Sequence, residues 1–139
     1  MYFLVAMDDA ERANRMIPEL EAIFAEIDAA EKEVVARANE LERMGYAASR
    51  RLHGDDDPPE IADRRKYLED ARRKLAALPL RFDALGVVLL DLSLSVVGFR
   101  STVRGEPVFL MWQRGDKRVE FYTPVDAEIS ERRRLGPSD

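Results

Sequence analysis

Five side chains in the second half of the chain could together bind a small anion. They combine two arginines, which form paired hydrogen bonds to carboxylates and phosphates, with two aromatic rings and one carboxylate. The five residues are Arg100, Trp112, Tyr122, Asp126 and Arg132. If they line one pocket at a face of a sheet, the predicted ligand is an anionic small molecule that packs against the rings.

Trp112 has two further interpretations. It shares one face of its predicted strand with Val108 and Leu110, which favours core packing or a seam between subunits. A cluster of aromatic residues with one arginine is also typical of the centre of a protein–protein interface. The sequence leaves these interpretations open.

The composition excludes most kinds of catalytic site and metal site. The chain has no cysteine, which excludes thiolate metal sites, iron–sulfur centres and a cysteine nucleophile. A single histidine, His53, excludes two-histidine motifs within one chain, and no serine-nucleophile motif or phosphate-binding glycine loop is present. An enzyme would need Asp91 or Asp126 in a cleft with a strongly perturbed pKa. The residues therefore favour a non-enzymatic protein with no catalytic residue and no cofactor.

Two charged segments have both a functional and a structural interpretation. The loop at 53–57 has three aspartates but lacks the ligand spacing that wraps a cation, so we expect no metal site there. The basic clusters at 64–66 and 72–74 could follow a row of phosphates. Acids four residues away, such as Glu60 before Arg64, instead favour a solvated, ion-paired helix face.

Length and charge limit the class of protein. A chain of 139 residues fits one domain with a core of its own. The net charge of −5 argues against non-specific binding to nucleic acid. The most apolar stretch, about 85–99, is too short and too polar to span a bilayer, and the start lacks the basic region of a signal peptide. We expect a cytoplasmic protein that contacts neither nucleic acid nor membrane.

Apolar residues that repeat every seven positions predict two long helices. The repeats are Leu20, Ile27, Val34, Leu41 and Ala48, then Ile61, Leu68 and Leu75. Pro18 is expected to break the first run, which gives a short helix at 8–17 and a long one at 18–51. Gly54 ends the long helix, and a second follows at 60–78. Two such helices joined by a short polar loop form an antiparallel hairpin.

The second helix has its own start and stop signals. Asp57 is expected to cap it, with Pro58 at the first helical position. Pro79 is expected to end it.

From residue 85 onward the apolar period changes to two, which predicts strands. Turn residues divide 85–124 into an antiparallel meander of four to five strands. Residues 1–7 can add an edge strand, and 125–139 are expected as a C-terminal tail.

Two observations predict a homodimer. At ~1.5 Å per residue the helices are roughly 50 and 28 Å long, so the shorter one leaves half of the longer one uncovered. That half has the wider apolar surface, and the expected interface residues are Leu20, Ile23, Phe24 and Ile27. The strand at 108–112 is apolar on both faces, which favours cover on both sides.

Several segments resemble a known family. Near the start the segment is Arg12-Ala13-Asn14-Arg15-Met16-Ile17-Pro18. Near the end the segments are Leu85-Gly86-Val87, Ser95-Val96-Val97-Gly98-Phe99-Arg100, Gly105-Glu106-Pro107-Val108, Met111-Trp112, Tyr122-Thr123 and Asp126-Ala127-Glu128-Ile129 with Arg132. On these residues the chain resembles the bacterial proteins catalogued as domain of unknown function 2203. The resemblance implies the fold and a soluble bacterial protein, and it implies no activity.

Three positions depart from the pattern of that family. Gly98 stands where the family has Asp, Thr123 where it has His, and Glu128 where it has Gly. A site made of that Asp and His would lack both members in this chain. Arg132 corresponds to the closing arginine of the family, which supports an arginine anchor for an anion within the tail.

The sequence thus predicts an α+β protein in which a long antiparallel helical hairpin packs on a four- to five-stranded antiparallel β-meander. The first function that we expect is a non-enzymatic structural or protein-interaction module, a homodimer formed through helix and sheet surfaces. The alternative is a small-molecule binding domain with a pocket for an anionic ligand at the sheet face.

Overall fold

The computed structural model describes residues 7–48, 57–128 and 131–135. The helices are α1 (Met7–Arg43), α2 (Pro59–Ala77) and α3 (Leu80–Ala84). The strands are β1 (Val88–Asp91), β2 (Val96–Val103), β3 (Glu106–Gln113), β4 (Phe121–Pro124) and β5 (Arg133–Arg134). They form one antiparallel sheet in the order β1-β2-β3-β4-β5. The predicted α+β class and antiparallel meander are confirmed.

The chain divides into two compact units. The sheet unit contains the chain up to Phe24 and everything from Leu80 onward, and the helical unit is Ala25–Pro79. Helix α1 contributes its first part to the sheet unit and the rest to the helical unit.

Helix α1 runs through Pro18, so the predicted break between 8–17 and the long helix is wrong. Ala13 and Leu20, on either side of the proline, are both buried, whereas Pro18 is exposed. A proline inside a helix costs about 3 kcal/mol because it removes one hydrogen bond and crowds the preceding turn. Apolar burial on both sides outweighs that cost, and the carbonyl that lacks a donor can bind water on the exposed side.

Helix α1 ends at Arg43 rather than at the predicted residue 51. Gly45 follows with a φ of 89°, in the left-handed region that favours glycine. The N–H groups of Gly45 and the residue after it donate to the carbonyl oxygens of Glu42 and Leu41, both at 3.0 Å. These two bonds are the Schellman pattern, which ends a helix. The heptad repeat predicted a helix that is too long because its last member, Ala48, is buried but lies in a turn.

The start of α2 also differs from the prediction. Its N-cap residue is Pro58, which makes no side-chain cap hydrogen bond. Asp57 instead has Oδ2 2.9 Å from Arg65 Nε, and the two side chains are 5% and 3% exposed. Arg65 Nη1 also donates to the carbonyl oxygen of Ala47 at 2.8 Å. The buried arginine therefore ties α2 to the residues that follow α1.

The core of the helical unit is a cluster from α1, α2 and the segment after α1. Its buried members are Leu41, Ala48, Ile61 and Leu68, with Val34, Ala38 and Tyr46 packed against them. Glu40 Oε1 lies 2.8 Å from Arg64 Nη1, an ion pair between α1 and α2. The heptad positions thus predicted all members of this core except Ala38 and Tyr46.

Three arginines of the basic clusters of α2 lie beside carboxylates, and Arg72 donates to the carbonyl oxygen of Ala48 at 3.1 Å. The predicted pair Glu60–Arg64 is present at 3.3 Å, and Arg73 lies 2.6 Å from Asp70. The hydrogen bond with Glu60 contributes most to a raised pKa of Arg64. Arg65 is only 4% exposed, which corrects the expectation that the whole cluster is solvated.

Two short elements were not predicted. Helix α3 follows Pro79 directly and buries Phe82. Strand β5 pairs with β4, with Phe121 opposite Arg134, so the segment at 125–139 is not simply a tail. The predicted edge strand at 1–7 lies outside the described residues, apart from Met7 in α1, and so does most of the loop at 53–57.

The residues predicted for the dimer interface are buried within the single chain. Their exposed fractions are 0% for Leu20 and Ile23, 2% for Phe24 and 3% for Ile27. The ring centre of Phe24 lies 5.0 Å from that of Phe82 and 6.1 Å from that of Trp112. The premise that a second copy must cover this stripe is wrong, because all four side chains are already buried in the single chain. The dimer itself stays a prediction.

Candidate functional site

The strand register decides which side chains share each face of the sheet. Residues directly opposite each other on adjacent strands lie on one face, and successive residues alternate between faces. Val97 lies opposite Trp112 and Leu110 opposite Tyr122, so these four share what we call the core face. The outer face carries Gly98, Arg100, Phe109, Met111, Phe121 and Thr123.

The five residues predicted to line an anion pocket do not form one site. Arg100 and Arg132 lie on the outer face beside different rings, and the guanidinium carbon of Arg132 lies 4.4 Å from the ring centre of Phe121. Trp112 and Tyr122 belong to the opposite face. Asp126 is exposed in the turn after β4. The structure thus places the two predicted arginines on one face of the sheet and the two predicted aromatic residues on the other.

Trp112 is a core residue with 0% exposure. Its Nε1 donates to the carbonyl oxygen of Asp116 at 2.9 Å. Asp116 Oδ2 in turn accepts a hydrogen bond from the Gln113 N–H at 3.0 Å. The indole therefore fills the core and fixes the turn after β3, which is the core role that the sequence had left open.

Two side chains of α1 hold the sheet unit together, and sequence reasoning gave neither a partner. Asn14 Oδ1 accepts a hydrogen bond from the Val119 N–H at 2.7 Å. Asp9 Oδ2 accepts one from Ser101 Oγ, also at 2.7 Å. Asn14 belongs to the first segment that resembles the family, and it satisfies a backbone donor in the loop before β4.

Two arginines share one aromatic ring on the outer face. The guanidinium carbons of Arg132 and Arg134 lie 4.4 and 5.4 Å from the ring centre of Phe121. In the β4–β5 register Phe121 lies opposite Arg134 and Tyr122 opposite Arg133, so alternate residues of this run point to the outer face. Arg134 was not predicted, because the run of three arginines was interpreted as a tail rather than as a strand.

A third arginine, Arg100, lies on the same face beside an aromatic ring. The guanidinium carbon of Arg100 lies 5.3 Å from the ring centre of Phe109. Among the side chains that the structure describes, those of residues 9–48, 57–128 and 131–135, no carboxylate oxygen comes within 4.0 Å of the guanidinium nitrogens of Arg100, Arg132 or Arg134. Stacking on a ring orients a guanidinium group and leaves its five N–H donors available. The outer face therefore presents three oriented cations.

Gly98 allows two apolar side chains to meet on the outer face. A Cβ atom on this residue would lie 2.9 Å from Leu90 Cδ1 and 3.1 Å from Phe109 Cβ. An Asp at this position, which the resemblance implies for the family, therefore does not fit here unless Leu90 and Phe109 move. This chain has an apolar surface where a carboxylate would stand close to Arg100.

We expect Gly98→Ala to lower the free energy of unfolding by about 1–3 kcal/mol, because the added methyl group overpacks the contact between Leu90 and Phe109. Urea denaturation followed by circular dichroism measures the change. Thr102→Ala, an exposed position on the same strand, is the control and is expected to stay within about 0.5 kcal/mol of the wild type. Equal midpoints for the two variants would show that the neighbours of Gly98 yield freely.

The remaining polar candidates have structural roles. Thr123 is 1% exposed, and its Oγ1 donates to the carbonyl oxygen of Glu128 at 3.3 Å. Asp91 Oδ1 accepts hydrogen bonds from the Leu94 N–H at 2.9 Å and from Ser93 Oγ at 2.7 Å. These bonds lower the pKa of Asp91, and the bond from the Leu94 N–H contributes most. The carboxylate of Asp91 is therefore a weak base near neutral pH. Asp91 shapes the turn between β1 and β2.

Two other kinds of feature are missing from the described part of the chain. It contains no group of three or more His, Asp or Glu side chains placed to hold a metal ion. None of its helices combines the length and the hydropathy that a membrane crossing requires.

Comparisons with known proteins extend this picture. No curated protein and no solved structure matches the chain. A family model described as "Uncharacterized conserved protein (DUF2203)" matches residues 8–135, from the second residue of α1 to the residue after β5. The match includes Asn14, which holds the loop before β4, and the three arginines of the outer face. The chain therefore belongs to this family, domain of unknown function 2203.

Proposed function

We propose that this protein is a non-enzymatic binding module whose outer sheet face takes a small anionic ligand. The observation that carries the proposal is the pair Arg132 and Arg134 on the single ring of Phe121, with no carboxylate of the described residues beside them. The predicted anion site is thereby moved from a pocket with Trp112 to a surface with Phe121.

The two guanidinium groups on Phe121 create a positive electrostatic potential that favours a bound anion. Both lie beside one ring, so their charges are within about one Debye length, ~10 Å, and repel each other. A carboxylate or phosphate between them removes the repulsion and accepts charge-assisted hydrogen bonds from both. Because the ring already orients both groups, they lose less side-chain freedom when an anion binds.

The charge of the whole chain favours a small ligand over a polymer. The net charge of −5 opposes the approach of a long polyanion, whereas a small anion responds mainly to the nearest cations. The proposed partner is therefore a soluble compound that bears a carboxylate or phosphate.

We infer that the helical unit is a scaffold in which the second part of α1 and α2 form the predicted antiparallel hairpin. The shared cluster of Leu41, Ile61 and Leu68 supports this arrangement, as does the ion pair between Glu40 and Arg64 at 2.8 Å. Arg64 and Arg73 lie beside acids, so they offer an anion less than the outer face does.

The homodimer remains a second proposal, now without the buried stripe of α1. The turn between β1 and β2 favours it, because Leu92 and Leu94 are 46% and 51% exposed there. The hydrogen bonds that Asp91 accepts hold this turn in one conformation. Exposed leucines on an ordered turn are suited to a contact between two copies.

The double variant Arg132→Gln/Arg134→Gln is expected to weaken the binding of pyrophosphate at least about tenfold, because it removes both charge-assisted donors. Isothermal titration calorimetry at low ionic strength measures the dissociation constant. The wild-type affinity is expected to fall as salt is added, since the interaction is electrostatic and exposed.

Lys117→Gln/Arg118→Gln is the matched control. It removes the same amount of charge from two exposed residues in the loop between β3 and β4. The control is expected to bind pyrophosphate as the wild type does. The proposal fails if both double variants lose the same affinity, because the effect then follows net charge and not the outer face.

A further inference from the structure

The outer face has two separate cationic positions. One is the pair Arg132 and Arg134 on Phe121, and the other is Arg100 on Phe109. Phe109 on β3 and Phe121 on β4 are diagonal neighbours, because Met111 is the residue opposite Phe121. Diagonal neighbours on one face are about 7–8 Å apart. Since each guanidinium group lies beside its own ring, the two positions are on the order of 10 Å apart.

The surface between the two positions is apolar. Met111 is only 6% and Thr123 only 1% exposed, so the side-chain atoms that a ligand can reach between the cations are those of the half-buried rings of Phe109 and Phe121. The hydroxyl of Thr123 is directed to the carbonyl oxygen of Glu128 at 3.3 Å, so its proton is already used. Gly98 adds no side chain, and the backbone groups of β3 pair with strands on both sides. A ligand group that lies between the cations therefore meets carbon atoms.

We propose that the outer face binds one elongated dianion by both ends. The ligand has two carboxylate or phosphate groups on the order of 10 Å apart, joined by an apolar middle. Arg132 and Arg134 hold one end, Arg100 holds the other, and the middle lies across Phe109. This inference rests on the proposed anion site and adds to it the spacing of the charges and the chemistry between them.

Two macromolecular occupants fit these observations less well. An extended acidic peptide would lay its backbone N–H and C=O groups on an apolar surface that offers them no partners. A single-stranded nucleic acid would meet the opposing net charge of −5 along its length. A small dianion with an apolar middle avoids both costs.

The test is a series of alkane dicarboxylates of increasing length, from succinate through adipate and suberate to sebacate and dodecanedioate. Each is titrated into the full chain by calorimetry at low ionic strength, beside the monocarboxylate with the same number of carbon atoms. The affinity is expected to pass through a maximum where the carboxylates stand on the order of 10 Å apart. At that length the dicarboxylate is expected to bind about tenfold more tightly than its monocarboxylate, because the second contact is intramolecular.

Arg100→Gln is expected to remove the maximum and to leave the binding of monocarboxylates within about twofold of the wild type. Lys117→Gln, an exposed position in the loop after β3, is the matched control and keeps the maximum. Arg132→Gln/Arg134→Gln weakens both series. An unchanged urea midpoint shows that each variant is folded.

Three results would overturn the inference. The first is an affinity that rises steadily with length and equally for monocarboxylates, which indicates apolar binding alone. The second is an Arg100→Gln variant that keeps the maximum. The third is a single-stranded oligonucleotide that binds more tightly than every dicarboxylate and competes with pyrophosphate. If pyrophosphate binding still depends on Arg132 and Arg134 while no maximum exists, the proposed anion site stands and only the two-ended ligand is wrong.

Discussion

Arg65→Met is expected to lower the free energy of unfolding by about 3–5 kcal/mol, because it removes the guanidinium group that pairs with the buried carboxylate of Asp57. The two side chains are 3% and 5% exposed, and their atoms approach to 2.9 Å. The substitution also removes the donor at 2.8 Å from the carbonyl oxygen of Ala47. Methionine keeps much of the arginine volume, so the loss reports the charge and the hydrogen bonds rather than a cavity. Guanidinium denaturation followed by far-ultraviolet circular dichroism measures it.

An exposed ion pair and a double variant are the controls for Arg65→Met. Arg73→Met breaks an ion pair with Asp70 whose side chains are 66% and 56% exposed, and it is expected to cost at most about 1 kcal/mol. The double variant Asp57→Leu/Arg65→Met is expected to be more stable than Arg65→Met alone, since no charge remains buried. Equal losses for Arg65→Met and Arg73→Met would show that the Asp57–Arg65 pair is solvated. If Arg65→Met does not fold, Arg65→Lys, which keeps the charge but not the planar fork, is expected to give a smaller, measurable loss.

Phe24→Ala is expected to lower the free energy of unfolding by about 3–5 kcal/mol, because it leaves a cavity beside two other large rings. Phe24 is 2% exposed, and its ring centre lies 5.0 Å from that of Phe82. Urea denaturation at two protein concentrations measures the loss. The loss is expected to be the same at both concentrations, since Phe24 belongs to the core of the single chain.

Val35→Ala is the control for this experiment. Val35 lies on the same helix with 57% exposure, so its truncation is expected to change stability by less than about 0.5 kcal/mol. A Phe24→Ala loss that disappears at the higher protein concentration would contradict the assignment, because it would place Phe24 between two copies. That result would also restore the dimer interface first expected from Leu20, Ile23, Phe24 and Ile27.

The parts of the fold that depend on local pattern were predictable. The seven-residue repeat placed Val34, Leu41, Ile61 and Leu68 in one core, because helical periodicity puts these positions on one face. The change of period after residue 85 predicted strands that the sheet contains. Asp57 shows the limit of local signals. Its position before a helix is typical of a cap, but its carboxylate binds Arg65, eight residues away.

The sequence indicated which residue types could bind an anion, but it did not indicate which face of the sheet each side chain lies on. Arg100 and Arg132 were selected because arginine is suited to anion binding, and both lie on the outer face. Trp112 and Tyr122 were assigned to the same site although they lie on the core face, since one step along a strand changes the face. Only the register of the strands shows which face each of these side chains lies on. Strand β5, which places Arg134 beside Phe121, has two residues and is too short to produce a periodic pattern in the sequence.

The guanidinium groups over Phe109 and Phe121 have a consequence for concentrated solutions. A sheet face with half-exposed aromatic rings can stack on a like face of another molecule, which is a step toward precipitates and fibrils. Three cations on that face make two such surfaces repel each other. A bound anion neutralises these cations and so removes the repulsion. Saturation with ligand is therefore expected to make the protein more prone to self-association through this face.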